Sequence, residues 1–487
     1  MIDSQSQMKR GLIWFGSASL VMRLLDVGAN LVALAFVTRE QMGLAAIPWT
    51  AIVVIESFNG LGVGTAIVQA RELSRRQIDS LFWFASVFGI FLGLLLAAGS
   101  PLFVSFYGDD RLLPLLLVSA CKLPFVGAAL VPVQLLARDL KFGASGAVQT
   151  AASGLSAITQ IVLAILGLGA WALVIAWTAR GLFLFICVMV AAPLRPRLAF
   201  AVADTRSALS FGVRACSSAA LYHFYRNADY LLIGKFLGIE TLGVYRVAFD
   251  LAMSPLEAIG QVVNKVAYPV FSRIGSEIDE LVQAFHRMSR YLLFLAGPVV
   301  LFLFFGSEHL IRAINPERWL AAVPAVQILC WAALLRGLAQ LFPQLYIASG
   351  KPELAIYSEL ANGATLVGGF ALVLWRFPEL GIFGVSWVWL LTYPVMLAFQ
   401  FRLARRAAPI GLAGYLRTLA PLGGGLVATA AAMGGAAAAL SAARFIPPIA
   451  SLVLVGLAGL LVYVAYLRFV LGQRLTDLRP GSGSPTP

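Results

Sequence analysis

The chain has 487 residues, of which 60% are hydrophobic and only 12% charged, with a mean hydropathy of +0.87. Soluble domains are about 45–50% apolar and about 25% charged, so a soluble enzyme or binding module is excluded. The net charge of +13 lies in short clusters between apolar runs rather than in a dense basic stretch interleaved with aromatics. That placement excludes a nucleic-acid face and fits membrane topology instead.

Apolar runs of about 20 residues recur along the chain, each long enough to cross a bilayer as a helix. They are continuous rather than alternating, which argues for helices and against a membrane barrel. The expected class is an all-α polytopic membrane protein. The first run follows Lys9-Arg10 and is too long for a signal peptide, so it is read as an uncleaved first span. Fourteen spans are predicted, near 11–38, 44–67, 81–106, 113–137, 145–167, 170–192, 208–234, 241–266, 289–306, 322–347, 355–376, 379–401, 418–440 and 446–470.

Basic residues test that count. If the amino terminus and every second loop share one side, that side holds 22 Lys and Arg while the opposite loops hold seven. A shift by one span destroys the asymmetry, so both termini are expected in the cytoplasm. The four cysteines, Cys121, Cys187, Cys216 and Cys330, lie in apolar segments without metal-ligand spacing and are read as small core residues.

A weak internal repeat runs through the chain. "REQMGLA" (39–45) lies 200 residues before "IETLGVY" (239–245), and "RQIDSLF" (76–82) lies 200 before "SEIDELV" (276–282). "PVQLLARDLK" (132–141) precedes "FPQLYIASGK" (342–351) by 210, and "LGAWALVIAW" (168–177) precedes "LGIFGVSWVW" (380–389) by 212. A nearly constant offset over four matches implies two six-span lobes, 1–204 and 205–406. An even number of spans per repeat relates the lobes by an axis along the membrane normal, with a central cleft between them. Spans 13 and 14 (407–474) fall outside the repeat, and the polar tail 475–487 is expected to be disordered.

Ionisable residues inside spans are costly and mark function or pairing. Span 1 carries Arg23 and Asp26, span 2 carries Glu56, and span 7 carries Arg226 and Asp229 in "HFYRNADYLLIG" (223–234). In span 8, Arg246, Asp250, Met253, Glu257, Gln261 and Asn264 step by three or four and so share one helix face. Lys122, Arg180 and Arg336 are further cations inside spans. Each Arg-x-x-Asp pair has two open readings, a self-neutralising structural pair or an Arg held ready for an anion. Arg suits phosphate because its planar fork can bind two oxygens at once. Asp26, Glu56, Asp229, Asp250 and Glu257 are candidates for ion coupling or for acidic positions in the cavity. The histidines His223, His286 and His309 stand far apart, and no nucleophile–base motif or metal cluster is present. No catalytic residue, metal or cofactor is expected, and the protein is read as not an enzyme.

The stretch "YRNADYLLIGKFLGIETLGVYRVAFDLAMSPLEAIGQVVNKVAYPVFSRI" (225–274) resembles the seventh and eighth spans of the polysaccharide-transporter family, the Wzx-type flippases of the colanic-acid-type branch. "GLGVGTAIVQ" (60–69), "FYGDDRLLPLLLV" (106–118), "GLGAWALVIAW" (167–177) and "PLRPRLAF" (193–200) resemble it too, and the resemblance covers about 8–470. It implies the fold of the multidrug/oligosaccharidyl-lipid/polysaccharide exporters, two lobes in a V. It implies flipping of undecaprenyl-pyrophosphate-linked oligosaccharide units from the cytoplasmic to the periplasmic leaflet of the bacterial inner membrane by alternating access. The implied partners are that lipid, the bilayer and polysaccharide polymerase or export machinery, with the protein itself a monomer. Similar MurJ-type lipid II flippases use cavity arginines for pyrophosphate. By resemblance that role falls to Arg23 and Arg226, with Arg246 and Arg336 behind them and Lys122 and Arg180 as further cavity cations. The alternatives are a cation or drug antiporter of the same superfamily and a membrane polysaccharide polymerase or ligase.

Overall fold

The computed structural model describes residues 21–22, 25–59, 63–64, 67, 73–139, 141–192, 194, 196–198, 223–274, 277–442, 446–470 and 472. Among the described residues there are helices and connections and no strand. Arg23 and Cys216 lie outside the described residues, as does much of span 7 and of the junction between the repeats. The chain divides into two compact units, Met1–Gly243 and Val244–Pro487.

In the first unit, α1 (Leu25–Phe36) is followed by α2 (Arg39–Glu56), which starts at a reciprocal cap. Thr38 accepts from the Gln41 N–H, and the Gln41 side chain accepts from the Thr38 N–H. Ser74 and Gln77 repeat that arrangement at the start of α3 (Arg75–Tyr107). Each box satisfies two of the N–H groups that a helix start leaves open. With 33 residues, α3 measures about 50 Å. It ends at Gly108, whose φ of 71° is the left-handed conformation a residue without Cβ adopts at least cost.

The predicted fourth span is two helices, α4 (Leu112–Ala120) and α5 (Lys122–Arg138), joined at Cys121. Pro124 explains the break, because it cannot donate to the carbonyl of Ala120. Cys121 at this junction is exposed, whereas Cys330 is buried and Cys187 lies between, so the reading of Cys121 as a core residue is corrected. Helices α6 (Phe142–Ile165) and α7 (Ala170–Ala191) pack on each other, and α5 packs on both α3 and α7. Val63, Ile67, Leu81, Phe82, Ala85, Val131 and Leu194 form one buried cluster. The turn at Asn227 interrupts the described part of span 7, and the short α8 (Ala228–Phe236) follows it.

The second unit takes up most of α9 (Ile239–Ile274), and α10 (Ile278–Ile314) follows. A short turn, α11 (Pro316–Trp319), leads into α12 (Val323–Ala339), α13 (Leu341–Ala348), α14 (Pro352–Arg376), α15 (Gly381–Ala404), α16 (Leu412–Ala442) and α17 (Pro448–Phe469). The α12–α13 break repeats the α4–α5 break, with Pro343 unable to donate to Ala339. Phe285, Phe342, Phe401 and Tyr415 meet edge to face or tilted, with centroids 4.8–5.8 Å apart, and anchor α10, α13, α15 and α16 together. The two helices outside the repeat, α16 and α17, pack on each other and on α10. There Leu301, Met433 and Val455 form a buried cluster, and the Tyr463 hydroxyl donates to the Phe294 carbonyl at 3.1 Å.

Nine helical stretches among the described residues, two of them broken as above, are long and apolar enough to cross a membrane. They coincide with predicted spans 3–6, 9, 10 and 12–14. Helices α9 and α14 are also long, 36 and 25 residues, but polar side chains interrupt their apolar runs. Val190 and Leu102 are 78% and 74% exposed, and Val427 and Leu461 also stand out. Apolar side chains presented at this density on every long helix are solvated by lipid, so this is a multi-pass membrane protein.

Candidate functional site

Two polar clusters interrupt the apolar interior, one in each unit. In the first, Lys122 at the start of α5 extends its ammonium to Glu56 at the end of α2, with Nζ 2.7 Å from Oε2. Those positions are 66 residues apart, and only packing of the helices brings them together. Arg180 of α7 reaches Asp26 of α1, with Nη1 3.2 and 3.4 Å from the two carboxyl oxygens. Beside it, the Gln160 amide donates to the Asn30 side chain at 2.8 Å.

The Arg-x-x-Asp reading of span 1 pairs Asp26 with Arg23, which lies outside the described residues, whereas the structure gives Asp26 the Arg180 guanidinium. In "HFYRNADYLLIG" the helix stops at Asn227, whose side-chain amide turns back to donate to the His223 carbonyl at 2.7 Å. His223 stands close enough to Arg226 and Glu56 to feel both charges. Asp229 sits in the first turn of α8, where a carboxylate is favoured by the helix dipole. It is fully buried, and its Oδ1 accepts the N–H of Tyr230. Arg226 and Asp229 thus occupy different settings, one half-buried and the other inside the core. Trp49 packs on Trp177 and Tyr230, with centroids 6.4 and 6.1 Å apart, and closes the apolar side of this cluster.

The second cluster is the stripe read from span 8. On α9 the Arg246 Nε donates to the Asp250 Oδ2 at 2.6 Å. One helical turn further, Arg336 from α12 lies across the stripe. Its Nη1 donates to the Glu257 Oε1 at 3.0 Å and touches the Met253 sulfur at 3.9 Å. The guanidinium also rests over the Trp389 ring, 5.7 Å from its centroid, and the Trp389 indole donates to the Tyr245 hydroxyl at 2.9 Å. A guanidinium held by a carboxylate, a ring face and a thioether is fixed in one orientation.

Exposure separates the two clusters. The Arg246 and Arg336 side chains are 7% and 6% exposed, whereas Lys122 is 18% and Arg180 37% exposed. A buried pair that loses one partner leaves a charge without solvation, and Arg246 and Arg336 each have such a partner in Asp250 and Glu257. Lys122 and Arg180 are more exposed than Arg246 or Arg336. Residue spacing did not indicate Trp389, Tyr245, Trp49 or Trp177, because an aromatic in an oily helix carries no periodic signal. Among the described residues, no three His, Cys, Asp or Glu side chains are grouped as metal ligands would be.

A family model described as a polysaccharide biosynthesis protein matches residues 34–324. The chain is similar to the teichuronic acid biosynthesis protein TuaB of Bacillus subtilis (strain 168), 26% identical over 316 residues. That match covers 64% of this chain and 65% of TuaB, just under two thirds of the relative's length. It is also similar to the lipopolysaccharide biosynthesis protein WzxC of Escherichia coli (strain K12), 21% identical over 397 residues and covering 74% and 77% of the two chains. The succinoglycan biosynthesis transport protein ExoT of Rhizobium meliloti (strain 1021) is 22% identical over 367 residues, covering 69% and 74%. Among solved structures, the inward closed conformation of the lipid II flippase MurJ superimposes with a TM-score of 0.75 at 14% identity, covering 94% of this chain and 99% of that one. An inward-facing MATE multidrug transporter gives 0.60 at 14% identity, covering 79% and 95%. At such identities the likeness speaks for the fold alone. A multi-pass helical chain with this fold, matched by the family model over more than half its length, belongs to the polysaccharide biosynthesis protein family.

Proposed function

We propose that this protein is a flippase that moves undecaprenyl-pyrophosphate-linked oligosaccharide units from the cytoplasmic to the periplasmic leaflet by alternating access. It would serve exopolysaccharide, capsule or O-antigen synthesis in the bacterial inner membrane, with both termini in the cytoplasm and the protein acting as a monomer. The supporting observation is the pair of accessible cations, Lys122 and Arg180, held inside apolar helices of a chain in this family. A pyrophosphate crossing the bilayer needs a cation to offset its charge and no bond to be broken. Arg226 would add a third cation to that set, and Asp26 and Glu56 are the carboxylates an arriving phosphate would displace. Arg246–Asp250 and Arg336–Glu257 would hold the interior of the second unit in shape. In this reading Asp229, fully buried in the first turn of α8, would serve structure.

The second reading, export of an organic cation, draws support from the carboxylates that accompany these cations. One experiment separates the two. In proteoliposomes carrying a fluorescent lipid-linked oligosaccharide, the parent protein flips the lipid and Arg226→Glu abolishes flipping while the protein stays folded and inserted. Flipping that survives Arg226→Glu rules out the assigned role for Arg226. A parent protein that exchanges organic cations but not the lipid rules out the flippase reading.

A further inference from the structure

Two aromatic pairs, one in each unit, share one geometry. The offsets of 200 and 212 read from the repeat carry Trp49 to Phe249 and Trp177 to Trp389. In the first unit the Trp49 and Trp177 rings meet with centroids 6.4 Å apart at 57°. In the second, the Phe249 and Trp389 rings meet with centroids 5.7 Å apart, also at 57°. Their surroundings differ. Phe249 and Trp389 are 7% and 1% exposed, and the Trp389 ring is enclosed by the Arg336 guanidinium, by Phe370 and by Tyr393, which stacks on it at 6.1 Å and 20°. Trp49 and Trp177 are half-buried, with the buried Tyr230 edge-on to Trp49 at 6.1 Å. One copy is filled by the protein's own side chains, and the other keeps part of its ring surface open.

Helical spacing joins the open pair to the more exposed cations. Trp177 precedes Arg180 by three residues on α7, and Trp49 precedes Glu56, the partner of Lys122, by seven on α2. Steps of three and seven return to the same face of a helix. At 1.5 Å per residue the rings stand about 5 and about 10 Å along their helices from Arg180 and Glu56. Both displacements run toward the helix starts, the ends that the basic-residue count assigns outside the cytoplasm. The face of an aromatic ring carries the negative part of its quadrupole. The C–H-rich face of a pyranose is partly positive and lies flat on such a ring, whereas a phosphate is repelled by it.

We propose that Trp49 and Trp177 form a sugar platform, on which the pyranose bonded to the pyrophosphate stacks while Lys122 and Arg180 meet the phosphates. The inference rests on the proposed flippase function and adds the part of the head group that the cations do not read. The sugar lies outward of the phosphates and leads them across the membrane. In the second unit Arg336 covers the equivalent ring and is kept there by Glu257, so that copy serves shape.

The test measures binding of two lipids to the full chain in detergent by native mass spectrometry. They are undecaprenyl pyrophosphate and the same lipid carrying one galactose, whose axial hydroxyl leaves three C–H bonds on one face. The parent binds the galactosyl lipid more tightly than the bare one. Trp177→Leu, which stays apolar but lacks a ring face, weakens the galactosyl lipid at least about threefold and leaves the bare lipid unchanged. Trp177→Phe retains the preference. A parent that binds both lipids equally, or a Trp177→Leu variant that loses both alike or neither, overturns the platform and leaves the flippase reading standing. Should Trp177→Leu not fold, the parent labelled with 5-fluorotryptophan decides. Its fluorine resonances for Trp49 and Trp177, assigned through Trp49→Phe and Trp177→Phe, shift with the galactosyl lipid and not with the bare one. Equal shifts with both overturn the platform. A parent that binds neither lipid overturns the flippase reading, and the platform with it.

Discussion

At the residue scale, the intramembrane cations divide by burial rather than by residue type. Arg336 touches a carboxylate, a thioether and a ring, and almost none of it meets solvent. Removing one partner of a buried pair typically costs about 3–5 kcal/mol, because the other charge stays behind without solvation. Exposed pairs such as Arg111–Glu40 are worth about 0–1 kcal/mol. A double-mutant cycle on Arg336→Met and Glu257→Gln should therefore give a coupling of about 2 kcal/mol or more in reversible unfolding from bicelles. The same cycle on Arg111 and Glu40 should give less than about 1 kcal/mol. Equal couplings would refute the division. Spacing put Arg246, Asp250, Met253 and Glu257 on one stripe, and the structure keeps them there. It did not supply their partners, because Arg336 and Trp389 arrive from helices about 80 and 130 residues away.

At the element scale, local side chains set helix ends that hydropathy missed: spans 2 and 3 were predicted from 44 and 81, whereas the helices begin at Arg39 and Arg75. The boxes at Thr38 and Ser74 and the glycine at 108 are signals of a few residues, and each stands at a helix end. The breaks at Cys121 and Gln340 were not seen, since proline is common in membrane helices and a break needs the carbonyl it fails to serve. Nor did hydropathy foresee that Asn227 ends the preceding turn by folding its amide back onto His223. The turn after Gly108 makes a separate prediction, because it lies outside the spans. Arg111 donates side-chain and backbone hydrogen bonds to Asp109 and holds its carboxyl below the usual carboxylate range. A carboxyl lowered in the folded state adds stability above its unfolded pKa and loses that contribution as pH falls through the folded value. Acidification below the ordinary carboxylate range should thus loosen this turn, and Arg111→Ala should move the loosening to higher pH. Hydrogen exchange at residues 108–112 measures the shift, and an Arg111→Ala midpoint equal to the parent's would dismiss the pair as its cause.

At the scale of the whole molecule, the class was readable because lipid imposes one rule on every span. Backbone groups must be satisfied within the helix and side chains must be apolar outside, so composition alone places the chain in a bilayer. The two six-span lobes were read from a nearly constant offset in the sequence, whereas the compact units divide at Gly243. Whether a cation serves shape or substrate is not written in either signal, and a charge swap can separate the two. Lys122→Glu alone sets two carboxylates against each other where the ion pair stood, so both folding and flipping should suffer. Adding Glu56→Lys restores an opposite-charge pair with the ammonium now on α2. If the pair only ties α2 to α5, the swapped protein recovers its melting temperature and its flipping together. If Lys122 meets the pyrophosphate, the melting temperature recovers while flipping of the lipid-linked oligosaccharide stays at least about tenfold below the parent, a deficit of about 1.4 kcal/mol in transition-state stabilisation. Proteoliposome flipping and thermal unfolding on the same preparations decide between the two, and full recovery of both would remove Lys122 from the substrate path.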